Sequence, residues 1–335
     1  MKFIFAHDKQ FPVLAEKEIA KIPGSTAFYS SLVREYDHLY LGNRWVEDLS
    51  FLAYLDSGEL AAYVPVYLCR NNGGLEFSYG GDYLSAPIFA LPEASNARSR
   101  VEEEIFSEVS DLAARKQAER YRVAIEPVEL VSGRTLFNFL KMHGFRDESS
   151  ASRVIDLRED EDTLWRAVRK SYRPLITRAM KKFPVTVIDR ENWNYEACEK
   201  YRILHHLAAG RVTRPRNTFE TMYEMIRADQ AFLVAVTNPE GAWAVAALFY
   251  RFNGHVYYAS SATHPDAGPD GGHGHYGIWA ALRHARSRED RFLDMGWQPV
   301  PGETGDAKAT SIALFKSGFG GRRVAWFRGT KQFNE

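Results

Sequence analysis

The strongest constraint on this 335-residue chain is that it repeats itself. Phe51-Leu52-Ala53-Tyr54-Leu55, the turn Asp56-Ser57-Gly58 and the run Leu60 to Tyr67 read as two buried strands joined by a tight turn. Phe232 to Val236, Asn238-Pro239-Glu240-Gly241 and Trp243 to Tyr250 read the same way, about 180 residues later. The helical stretch Val101 to Arg120 leads into a strand, Tyr121 to Ile125, as Tyr276 to Arg288 leads into Arg291 to Met295. The run Leu136 to Lys141 ends at His143-Gly144-Phe145, and Ile312 to Lys316 ends at Gly318-Phe319. Each glycine sits where a helix C-cap is expected. A strand follows each: Arg153 to Leu157, and Val324 to Phe327. Four parallels in one order, at a nearly constant offset, predict a duplicated α/β (mixed α+β) domain, each copy a mixed sheet flanked by helices. The small polar run Asp147 to Ser152 marks the boundary, so the predicted domains are 1–150 and 151–335. There is neither a steady βαβ alternation nor a GxGxxG fingerprint, which argues against a Rossmann reading.

Charge narrows the partners. Lys plus Arg equals Asp plus Glu at 43 each, so any anion must be met by a local patch rather than by the whole surface. The chain has two cysteines, Cys69 and Cys198, far apart, and no CxxC or HExxH pattern. That usage fits a reducing compartment, and no metal site is predicted. The start of the chain carries charge too early for a signal peptide, and no run approaches the ~18 apolar residues of a membrane span. The expectation is a cytoplasmic protein with no transmembrane segment.

Two basic segments stand out. From Arg166 to Lys182 there are seven basic residues and no acid. Arg166, Arg169, Lys170 and Arg173 fall at i, i+3, i+4 and i+7, one helix face, and Pro174 is expected to end that helix and begin a second, Leu175 to Lys182. Such a face is either simply solvated or a landing strip for phosphates: tRNA, a diphosphate or a nucleotide. The second segment, Arg211-Val212-Thr213-Arg214-Pro215-Arg216, follows a predicted helix Tyr195 to Ala209 that stops at Gly210. Arginines on such a loop are placed to hold a carboxylate or phosphate, or to pair with nearby acids. The glycine-rich loop Pro265 to His275 leads into a helix and is a weak anion-binding signal. Asp294 ends an apolar strand just before Gly296, where carboxylates often face a ligand crevice. Lys316 lies beside Phe315 at a helix end.

The second half resembles the FemAB family of aminoacyl transferases, which carry two tandem GNAT-like domains. The likeness rests on Arg169 to Ala179, the Gly210-Arg211 loop, the strand His255 to Ser260, the strand Phe292 to Gly296 and, most specifically, Leu314-Phe315-Lys316-Ser317-Gly318-Phe319-Gly320-Gly321. It covers roughly residues 155–330, and the first half joins it mainly through the internal repeat. The resemblance implies transfer of an aminoacyl group from aminoacyl-tRNA to an anionic, amine-bearing acceptor, with no cofactor beyond the co-substrate. Peptidoglycan precursors are the best-known acceptors, and some relatives modify amines of natural products. It places Phe315 and Lys316 near the reacting centre, Arg211 on the acceptor's phosphates, and Tyr258 along the same channel. Two departures matter: the chain has no long coiled-coil insertion, and its Gly271-Gly272-His273-Gly274 run lacks the basic residue that opens a GNAT pyrophosphate loop.

On that basis Lys316 is expected to stabilise the oxyanion and Asp294 to position or deprotonate the amine. Arg211, Arg214, Tyr258 and Phe315 would hold the acceptor, and Arg166, Arg169, Lys170 and Arg173 the donor's phosphates. Two other readings stand beside this one. One is an acyl-CoA-dependent N-acyltransferase acting on a sugar amine or small metabolite. The other is a catalytically silent RNA-binding module. The sequence leaves the oligomeric state open.

Overall fold

The computed structural model describes residues 1–267, 272–300, 303 and 306–333. By its contacts the chain divides into two compact units: residues 1–151 with 324–335, and residues 152–323.

The first unit opens with β1 (Lys2–Phe5), α1 (Phe11–Ile19), α2 (Ser31–Leu41), β2 (Trp45–Asp48), β3 (Phe51–Tyr54) and β4 (Leu60–Val64). It continues with β5 (Tyr67–Asn71), β6 (Gly74–Phe77), β7 (Leu84–Ser85), β8 (Ile88–Phe89), α3 (Asn96–Lys116), β9 (Arg120–Ala124), α4 (Pro127–Val131) and β10 (Arg146–Asp147). Its strands form two sheets where the repeat predicts one, ordered β1-β3-β4-β8 and β10-β18-β9-β6-β5-β2, with β7 also on β9. The predicted strand Leu60 to Tyr67 is the reason. Pro65 has no N–H to continue a ladder, so β4 stops at Val64 and the chain restarts as β5 in the other sheet.

The second unit holds β11 (Ser150–Asp156), α5 (Glu161–Ala167), α6 (Tyr172–Lys182), β12 (Val185–Ile188), α7 (Tyr195–Ala209), α8 (Arg216–Arg227) and β13 (Ala231–Thr237). Then come β14 (Trp243–Phe252), β15 (His255–Thr263), α9 (His273–Ser287), β16 (Phe292–Gln298), α10 (Ala307–Ser317) and β17 (Arg322–Trp326), within which the division between the units falls. The sheet runs β12-β13-β14-β15-β16-β11-β17. The last strand, β18 (Arg328–Gln332), hydrogen-bonds between β9 and β10, so residues 324–335 pack with the first unit rather than the second.

Alternation along the strands sorts the layers of the second unit. Phe232, Val234 and Val236 of β13 and Val245, Ala247 and Phe249 of β14 pack in one core with α9 and with Leu164, Ile176 and Ala179 of α5 and α6. The intervening residues, Leu233 and Ala235 among them, face the other way, where α7 and α8 lie against the sheet. Each fully buried large apolar side chain contributes about 1.5–3 kcal/mol relative to exposure, so this double-sided burial fixes the strand register.

The basic stretch is not one helix. Asp160 caps α5, its carboxylate accepting from the Thr163 amide at 2.7 Å, and Glu161 and Asp162 fill the first turn. The helix stops at Ala167 because Val168 is extended, and Pro174 falls in the first turn of α6, where its missing N–H costs nothing. Arg166, Arg169, Lys170 and Arg173 therefore do not share a helix face; Arg169 and Lys170 lie in the connection.

Candidate active site

The site grows from a place where the sheet opens. β15 and β16 run parallel and in register from His255–Phe292 to Tyr257–Asp294, and there the pairing ends although both strands continue. At the same point β15 slips against β14: Phe249 faces Tyr258 while Leu248 faces Ser260, which makes Ala259 an extra, bulged residue. The bulge turns Ser260 to the face opposite Tyr258. The Tyr201 hydroxyl of α7 meets Ser260 Oγ there.

Asp294 sits at the opening. Leu293 and Met295 point into the α9 core, so Asp294 points to the α7 side and is buried. Its Oδ1 accepts from the Ser152 hydroxyl of β11 and from the Gly296 amide at 2.7 Å. Burial pushes its carboxyl up to about 6, against the pull of these two donors and of the Lys316 charge. Burial in turn lowers the Lys316 ammonium, and Asp294 raises it back.

Lys316, half-buried near the end of α10, carries Nζ 5.5 Å from the centroid of the Tyr258 ring. Gly296 has φ +78°, and a Cβ there would lie 3.1 Å from the Tyr257 hydroxyl and 3.3 Å from Lys316 Nζ. Glycine thus allows the left-handed backbone and leaves the space in which the hydroxyl and the ammonium converge. Phe315, next to Lys316, packs on the opposite side against Tyr172, His275 and Phe319.

Arg214 reaches the same face of the unit by way of α7. Its guanidinium lies 3.1 Å from His205 Nε2 and 5.5 Å from the centroid of the Phe219 ring. Arginine only donates, so Nε2 is the acceptor and the imidazole proton is on Nδ1, 3.0 Å from Thr213 Oγ1. Burial and the Arg214 charge take His205 down to about 4, which keeps it neutral. The Arg214 charge also acts on the phenol of Tyr201. Arg211 is exposed on the same loop, and among the described residues its side chain meets none of these groups. Arg216 is held by the Tyr195 hydroxyl and by Glu199 and Glu220.

The first basic segment divides. Arg169 donates to the Leu314 carbonyl and Ser317 Oγ and stacks on Tyr172, bracing the end of α10. Arg166 is bonded to the Asp162 carbonyl and Thr163 Oγ1. Arg173 bonds the carbonyls of Val168 and Arg166. Lys170 is exposed, with no carboxylate within ion-pair distance among the described residues. In the glycine-rich loop, residues 268–271, Gly271 included, lie outside the described residues. Downstream, His273 packs on Phe183 and His275 on Tyr172, so both histidines serve packing.

Sequence reasoning missed Ser152, Tyr257 and Tyr201. Nothing in the local sequence marks them, because their roles follow from a bulge and from cross-strand register.

These features define a tandem GNAT-like fold with an acid–lysine pair at the strand opening of the second unit. Among solved structures, FemX superposes with a TM-score of 0.72 at 14% identity, covering 98% of this chain and 97% of that one. The C-terminal DUF2156 domain of a protein assigned as a lysylphosphatidylglycerol synthetase from Agrobacterium fabrum matches with a TM-score of 0.61 at 12% identity, over 96% and 92% of the two chains. L-PGS from Bacillus licheniformis matches at 0.57 and 13% identity, over 91% of each. At these identities the likeness is one of fold. No family model and no curated protein matches the sequence.

Proposed function

We propose that the protein is an acyltransferase that moves an aminoacyl group from aminoacyl-tRNA to the amine of an anionic acceptor. The observation that carries this reading is the Lys316 ammonium, half-buried over Tyr258 and charge-coupled to Asp294, at the point where β15 and β16 part. The acceptor amine attacks the ester carbonyl, a C–N bond forms, and negative charge gathers on the carbonyl oxygen. Collapse of that intermediate breaks the C–O bond and releases the ribose hydroxyl, which takes the proton the amine gives up. Lys316 stabilises the oxyanion; Asp294 holds Lys316 charged and orients the attacking amine. Arg214 and Arg211 attract the acceptor's anionic groups, Tyr258 walls the channel, and Phe315, packed away from it on Tyr172, His275 and Phe319, holds the end of α10 that carries Lys316. The fold likeness to FemX, to the lysylphosphatidylglycerol synthetase domain and to L-PGS supports a transferase of this general kind.

A second reading, acyl-CoA as donor, is favoured by one observation. β15 and β16 part beyond Tyr257–Asp294, and a gap between two strands gives room for the extended, amide-bearing arm of a thioester carrier.

The test is donor discrimination with purified protein, a pool of labelled aminoacyl-tRNAs, a panel of acyl-CoAs and an amine acceptor mixture. Amine-dependent deacylation of one aminoacyl-tRNA is the expected result, and consumption of CoA thioesters alone overturns the donor assignment. Lys316→Ala should lower the transfer rate about 10²–10³-fold, the usual cost of one oxyanion donor. Unchanged turnover would remove Lys316 from the chemistry.

A further inference from the structure

The basic run leaves a second feature that the transfer site does not use. Trp165, Lys170, Arg173, Thr177, Arg178 and Lys181 line an open groove of about 600 Å³ along α5 and α6. Lys170, Arg178 and Lys181 have no carboxylate within ion-pair distance among the described residues, and all three are exposed. Arg166 and Arg169, which the sequence would have placed beside them, are bonded elsewhere and do not line it.

The arrangement is linear. Arg173, Thr177 and Lys181 recur every four residues on α6, which puts the two cations about 12 Å apart along its axis, with Arg178 alongside. A nucleic-acid strand presents a charge about every 3.4 Å of its axis, so such a row meets successive phosphates, whereas a lone phosphate needs converging donors. Trp165 adds an aromatic face of the kind on which bases stack. A lipid surface fits poorly. Ile176 and Ala179 of α6 are buried in the core, and Met180 is the one large apolar side chain that the helix exposes, which is too little apolar surface for insertion. The formal net charge of the chain is zero, so this groove is a local attraction rather than part of a general basic surface.

We propose that this groove docks the sugar–phosphate backbone of an RNA, which on the reading above is the tRNA of the donor. The phosphates lie along Lys170, Arg178 and Lys181, Arg173 adds its charge while its Nε and Nη2 stay on the carbonyls of Val168 and Arg166, and Trp165 meets a base or sugar.

The experiment uses the full chain, a fluorescent unacylated RNA hairpin with a single-stranded 3′ tail, and the triple variant Lys170→Gln/Arg178→Gln/Lys181→Gln. Anisotropy is followed between 50 and 200 mM salt. The variant should bind at least about tenfold more weakly at the low-salt end, with a log–log salt slope shallower by about 2–3. Circular dichroism checks its fold, and Arg178→Glu alone provides a second, smaller perturbation expected to act in the same direction. Equal affinity and slope in wild type and variants overturns the proposal. So does loss of phosphatidylglycerol-vesicle binding with RNA binding intact, or competition by inorganic phosphate alone at millimolar concentration. Because the hairpin carries no acyl group, the two claims fail separately. Groove-dependent RNA binding without any transfer sinks the catalytic reading, and transfer from subsaturating aminoacyl-tRNA that is unaffected in the triple variant sinks this one.

Discussion

Lys316 and Asp294 regulate each other's charge, and the pH dependence of both activity and stability follows from that coupling. Asp294 is ionised only above about 6. Below that pH Lys316 loses its counter-charge and, on the proposed mechanism, the amine loses its anchor, so kcat/KM should show an acidic limb near 6. Asp294→Asn should abolish that limb. It should also move the alkaline limb to lower pH, because Asp294 is what raises the Lys316 ammonium against burial. A pH–rate profile of the two proteins checks both shifts. The same carboxyl affects folding with a definite sign. Its folded-state value of about 6 lies above the ordinary 3.8, so the folded protein holds the proton more tightly than the unfolded chain. Stability from this group is therefore full below about pH 4 and falls as the pH rises to about 6, by up to about 3 kcal/mol. Urea titrations should show that this pH-dependent loss is smaller in Asp294→Asn. Both residues were candidates in the sequence, Lys316 through the Phe315-Lys316 likeness and Asp294 from its place before Gly296, and the fold brings their charges together. Tyr257 was not, because which of two adjacent tyrosines lies beside Asp294 depends on the register between β15 and β16.

At the scale of elements, α6 and α10 are locked by a glycine. Gly318 sits at the end of α10, as the C-cap reading expects, but its φ of −72° is right-handed and needs no glycine. Close approach is the reason instead: a Cβ on Gly318 would lie 2.0 Å from the Tyr172 ring. Gly318→Ala should therefore cost about 1–3 kcal/mol, the range for overpacking, measured by urea unfolding. Because Lys316 is two residues away, the transfer rate should fall as well. A variant as stable and active as wild type would show that Tyr172 moves freely. The helices α3, α7, α9 and α10, the β13–β14 hairpin and the strand carrying Asp294 were visible from apolar periodicity and turn residues, whereas α1, α2 and α8 were not, and the run Leu136 to Lys141 forms only a 3-10 turn, Phe139–His143. The basic face was misread, because the periodicity of its arginines continues across Val168, where the backbone does not stay helical.

In the whole molecule, the chain's last strand belongs to its first unit. β18 pairs with β9 from Arg328–Ala124 to Gln332–Arg120, and the Phe333 ring packs on Phe77 at 6.1 Å. Deleting residues 328–335 should expose the β9 amides, although they lie some 200 positions earlier in sequence. Hydrogen exchange should then show protection of residues 120–124 collapsing, and retained protection would contradict the role of β18. The sequence by itself determined the duplication, the class of elements in each half, the local nature of the charge and the Lys316–Asp294 candidates. Those properties are written in short stretches, as periodicity, turn chemistry and residue type. Only the tertiary structure decided that the first half splits into two sheets, that the chain end returns to it, which arginines are consumed by carbonyls, and where the sheet opens. Each of these depends on hydrogen bonds between segments far apart in sequence, and no local pattern of side chains records which partner a backbone group will find.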